Sequence, residues 1–80
     1  MKYQLQTGSR YRATLRLGWL EGAASNGTIA SKLTDAGFTD VEVWQPGDSA
    51  RDRMARGEWG GASQTVDLPE QITHVEVIGP

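Results

Sequence analysis

The sequence predicts an α+β domain: one helix packed on a mostly antiparallel sheet of about four strands, in the order β-α-β-β-β. Three observations point there. Tyr11, Ala13, Leu15, Leu17 and Trp19 fall on one parity, while Arg10, Arg12, Thr14 and Arg16 fall on the other. A period of two marks a strand with one buried and one polar face. Ile29, Leu33 and Ala36 then recur at i, i+4 and i+7, the spacing of one helical side. Thr39–Gln45 and Thr73–Ile78 alternate once more. One amphipathic helix and several half-buried strands cover their apolar sides by packing a helix layer on a sheet layer.

Tyr3 and Leu5 share the parity of Tyr11. Lys2–Leu5 therefore either opens one long first strand with an irregularity at Gly8-Ser9, or forms a short strand that turns back at Thr7-Gly8-Ser9. The pattern breaks at Glu21-Gly22-Ala23-Ala24, and Ser25 or Asn26 supplies a side-chain acceptor to cap a helix over 26–36. Gly37 suits the left-handed residue that ends such a helix, with Phe38 folding back as the closing apolar contact.

Thr39–Gln45 is the next strand, with Val41 and Val43 inward, and Pro46-Gly47 turns it. Over 48–64 a short helix starting from Asp48 competes with a returning strand. Arg51, Arg53 and Arg56 leave the helix almost no apolar stripe, so the sequence favours a strand at about 53–59, anchored by Trp59 and ended by Gly60-Gly61. Thr65–Leu68 is a brief extended piece stopped by Pro69, and the final strand turns Val75 and Val77 inward. This order is compatible with a reduced ferredoxin-like arrangement in which the second helix has shrunk to Pro69-Glu70-Gln71.

Eighty residues allow one small domain, residues 1–80, and one modest core. Hydrophobic residues make up 38% and glycines number ten, so the stability margin is thin and association with another chain would add to it. Without cysteine there is no disulfide framework, thiolate zinc site or thiol nucleophile. No run approaches the roughly 18 apolar residues of a membrane span. The first residues lack the apolar core of a secretion signal. The expectation is a soluble protein, cytoplasmic or otherwise intracellular, with no membrane partner.

A net charge of −2 argues against a dedicated nucleic-acid binder, yet the charges are unevenly placed. Residues 1–20 carry Lys2, Arg10, Arg12 and Arg16 with no acid, and residues 61–80 carry Asp67, Glu70 and Glu76 with no lysine or arginine. That asymmetry predicts charge pairing of the first strand with the last across a sheet, or else steering of an acidic partner.

The candidate working surface is the stripe Arg10, Arg12 and Arg16, joined by Glu42 and Trp44 on the outer side of the sheet. A tryptophan beside arginines has the composition of a protein–protein hot spot. The chain accordingly reads as a non-enzymatic interaction or assembly module, such as an accessory subunit of a larger complex, whose partner is another protein or a second copy of itself. The alternative for this face is weak binding of single-stranded nucleic acid, which stacks its bases on exposed aromatics. A third reading is a small enzyme using His74 with Glu76. No serine in a strained glycine-flanked elbow accompanies His74. Asp48 and Asp52 lack calcium-loop spacing, so no metal is expected, and no motif calls for a cofactor. Trp59-Gly60-Gly61 is a candidate binding loop.

Overall fold

The structure, a computed structural model, describes residues 1–18 and 24–80. Strand β1 spans Lys2–Leu5, β2 Arg10–Arg16, helix α1 Asn26–Ala36, β3 Phe38–Trp44, β4 Asp52–Trp59, β5 Gln64–Asp67 and β6 Ile72–Gly79. A four-stranded sheet runs in the order β3-β4-β2-β6, and every neighbouring pair is antiparallel. Since β4 lies antiparallel between β2 and β3, those two strands are parallel and α1 links them across it, which is a split β-α-β unit. The α+β class, the one helix among the described residues and the four-stranded sheet agree with the sequence. Where a second helix would precede the last strand, the chain runs through β5 and the turn at Pro69-Glu70-Gln71.

Lys2–Leu5 does not prolong β2. It is a strand of its own, paired antiparallel with β5 from Lys2 opposite Asp67 to Leu5 opposite Gln64. Both pieces are four residues long, and a pair this short depends on packing against the rest of the molecule. Leu5 provides that packing: fully buried, it sits with Tyr11 and Trp59, while Tyr3 meets the Tyr11 ring edge-on at 6.0 Å between centroids.

Helix α1 begins where Ser25 Oγ accepts from the Thr28 N–H at 3.1 Å. It ends at Gly37, whose φ of 122° a residue with a Cβ adopts at a cost. Ile29 is buried against Leu15, Leu17, Ala55, Leu68 and Ile72, with Leu33 packed beside them. Ala36, expected on the same side, is exposed. Phe38 opens β3 directly after the helix, and its ring meets Trp59 at 4.9 Å. The expected core position of Trp19 lies outside the described residues.

All these contacts lie on the odd-numbered side of β2. Parity on β4 follows from Trp59, so Ala55 and Gly57 are inward as well, and so is Arg53, at 5% exposure. Its Nη1 donates to the Ala24 carbonyl and to Asn26 Oδ1, each at 3.0 Å, at the entrance to α1.

One expectation fails on β6. Val75 packs against the core, but Val77 is 58% exposed. Val77 does face the covered side, opposite Tyr11. However, α1 makes its sheet contacts chiefly with β3, at the far edge, and the covering layer does not reach the end of β6.

Candidate functional site: the uncovered face of the sheet

Helix α1 and the β1–β5 pair cover the same side of the four-stranded sheet. Among the described residues nothing packs on the other side, which is built from the even positions of β2 and β4. Cross-strand register orders it into rows. Glu42, Arg56, Arg12 and Glu76 form one row across all four strands. Trp44, Met54, Thr14 and His74 form the next, and Arg16 faces Asp52 beyond it.

Each expected arginine lies on this face or its rim, and each is held by a carboxylate. Arg12 donates from Nε at 2.7 Å and from Nη2 to Glu76 Oε1. Arg16 reaches Asp52 at 2.6 Å and Arg10 reaches Asp40 at 3.2 Å. Arg56 pairs with Glu42 at 2.9 Å. The Arg12–Glu76 pair joins the basic first stretch to the acidic last one, as the charge asymmetry predicts. Arg12 and Arg56 are direct cross-strand neighbours of like charge, and the flanking acids offset their repulsion. These pairs are half-exposed, and each contributes about 0.2–1 kcal/mol.

Glu42 and Trp44 stand where the sequence puts them, on the outer side, while Val43 packs against the core. Between Thr39 and Glu42 the register shifts, with Asp40 at φ 53°, so one residue is left over in β3 and the edge bends. Trp44 is half-buried beside Met54, whose sulfur accepts from Thr14 Oγ1 at 3.5 Å. Met54, Arg56 and Asp52 are members that the sequence reading missed. The signal was present: with Trp59 inward, a period of two turns these three outward together.

His74 is exposed at the end of the Trp44 row, and the nearby carboxylate of Glu76 belongs to Arg12. An apolar groove of about 340 Å³ lies on the helix side, between α1 and the Pro69–Ile72 turn, with Lys32 at its rim. A gap of about 30 Å³ lies between Leu33 and the sheet. Neither includes His74 or Trp44. Asp52 serves Arg16, and Asp48 is exposed in the turn before β4.

The Trp59-Gly60-Gly61 segment is folded onto the protein itself. Trp59 is 3% exposed and its Nε1 donates to the Ala62 carbonyl at 2.8 Å. Gly60 N–H donates to the Gly37 carbonyl at 2.9 Å, and the Gly61 carbonyl accepts from Thr7 Oγ1 at 2.6 Å. A Cβ at Gly61 would stand 2.6 Å from the indole, so glycine is required for the loop to close over the ring.

Among the described residues no helix is long and apolar enough to cross a membrane. No protein-family model matches this sequence, and no curated protein or solved structure matches it either.

Proposed function

We propose that this protein is a non-enzymatic interaction module, an accessory piece of a larger protein assembly, and that it binds a protein partner through the uncovered sheet face around Trp44 and Met54. One observation carries the reading. The arginines of this face are already held by Glu42, Glu76, Asp52 and Asp40, which leaves Trp44 and Met54, both half-buried, among the side chains with apolar surface to offer. Aromatic residues and methionine are enriched at the buried centres of protein interfaces, and charged residues sit at their rims. The Trp44 row bounded by Arg–carboxylate pairs has that layout.

The face gives single-stranded nucleic acid less to hold. Its positive groups are neutralised in place, and one aromatic is a short stacking platform.

The test combines retention of partner proteins from an extract of the source cells with titration of a labelled oligothymidylate. Trp44→Ala and Met54→Lys should both abolish retention of a protein that the wild type holds. Glu70→Lys, on the β5–β6 turn, should leave it intact. Retention that survives both face variants, or oligonucleotide binding by the wild type that falls with rising salt, would overturn the reading.

A further inference from the structure

We infer that strand β6 is a self-association edge, and that two copies of this chain pair antiparallel along Val75–Val77 to form one eight-stranded sheet. The argument begins with the directions of the backbone groups. In β2, Arg16 N–H donates to the Gln71 carbonyl on the β6 side, whereas Leu17 N–H donates to the Arg51 carbonyl on the β4 side. Thr14 likewise presents its carbonyl to β6, where Thr73 Oγ1 donates to it. Alternation along a strand therefore turns the even residues of β2 toward β6. Their partners, His74 opposite Thr14 and Glu76 opposite Arg12, are the hydrogen-bonded pairs of that ladder. Val75 and Val77 then direct their N–H and C=O groups away from the sheet, along an edge that no strand among the described residues pairs with.

An open edge invites pairing unless it is blunted by lysine, proline, a short strand or irregularity. β6 is eight residues long and has no lysine or proline within it. Its two register shifts lie at the ends and leave His74–Val77 regular between them. β3, the other edge, is interrupted near its middle at Asp40.

The occupant that fits is a second β6. Antiparallel pairing about Glu76 sets Val75 of each copy against Val77 of the other, so the outward backbone groups of both satisfy one another. The same register brings Val77, now 58% exposed, beside the other copy's Val75 on the covered side, and Ile78, 42% exposed, beside its His74. Glu76 meets its own copy, and Arg12 on each side already holds that carboxylate. A two-fold axis normal to the sheet keeps both uncovered faces on one side, so the dimer would present the Trp44 surface twice. The pairing itself rests on β6 alone and stands or falls apart from the partner proposed for that face.

Edge pairing of this length buries less than a standard interface, so the dimer should be weak and is to be sought up to about 1 mM. Sedimentation of the wild type should show a mass rising from 8.7 kDa toward twice that value with concentration. Val77→Lys should remain at 8.7 kDa with an unchanged circular dichroism spectrum, whereas Trp44→Ala should still dimerise. In the wild type, amide exchange at Val75 and Val77 should slow at least ~10-fold between dilute and concentrated samples. A strict monomer at the highest concentration, a dimer indifferent to Val77→Lys, or concentration-dependent protection confined to other strands would overturn the inference.

Discussion

Arg53 ties the middle of the sheet to the first residue of the helix: its guanidinium, buried on the core side of β4, donates to Asn26 Oδ1 and to the Ala24 carbonyl, both at 3.0 Å. A buried cation is tolerated where hydrogen-bond acceptors surround it, and the chain entering α1 supplies them. Arg53 therefore fixes where the helix starts above β4.

Truncating this side chain removes both bonds and leaves the Ala24 carbonyl to find another donor. Arg53→Met, which keeps much of the stem, should cost about 2–4 kcal/mol, within the range for breaking a buried charged hydrogen-bond set. For a chain of this size that lowers the melting temperature by at least ~10 °C. Asn26→Ala should cost less, about 1 kcal/mol, because the backbone acceptor remains. Calorimetry of the two variants checks the ranking, and equal costs would refute it.

The second prediction concerns Trp59. Gly37 and Gly61 both crowd its ring, and a Cβ at Gly61 would stand 2.6 Å from Cζ2. Gly61→Ala should destabilise by about 1–3 kcal/mol through overpacking. Trp59→Phe removes the atoms that clash, so adding Gly61→Ala to it should cost much less than adding it to the wild type. A denaturant double-mutant cycle measures this coupling, and simple additivity would show that the close approach is not what demands glycine.

These two sites show what the sequence makes legible. The alternation of Tyr11–Leu17 and the Ser25 and Gly37 caps are local signals, and β2 and α1 follow from them directly. Trp59 anchors β4 for the same reason, and parity alone then turns Arg53 inward and Met54 and Arg56 outward. Arginine at an inward position runs against composition, so parity has to be carried back from Trp59 along the whole strand before it places Arg53 inside. The pairing of β1 with β5 is a relation between segments about sixty residues apart, and neither segment alone records it. Val77 obeys its parity and is nevertheless exposed, because exposure depends on how far the covering layer extends across the sheet. The candidate face was legible in Arg10, Arg12, Arg16, Glu42 and Trp44, but its neutralisation by acids on three other strands depends on register.

Trp44 and Trp59 should respond very differently to the same change. Trp59→Ala empties a buried site and should cost about 3–5 kcal/mol. Trp44 is half-buried on the uncovered face, and Trp44→Ala should cost under about 1 kcal/mol. Urea unfolding of both variants checks this, and a large loss at Trp44 would mark it as a structural residue and remove it from the proposed interface.

Charge on the uncovered face gives the last prediction. In the row Glu42–Arg56–Arg12–Glu76 the two cations are adjacent and the two acids terminate it. Glu76→Gln leaves Arg12 beside Arg56 with one compensating carboxylate fewer. It should cost about 0.5–1 kcal/mol at low salt and far less at 1 M, where screening shortens to about 3 Å. Replacing both ends, Glu42→Gln with Glu76→Gln, exposes two adjacent unneutralised guanidinium groups next to Trp44. That double variant should acquire oligothymidylate binding that weakens steeply with salt, a behaviour expected to be absent from the wild type. Fluorescence anisotropy at 20 and 200 mM salt distinguishes the two proteins. If the double variant binds no better than the wild type, the carboxylates are not what keeps this face from attracting a polyanion.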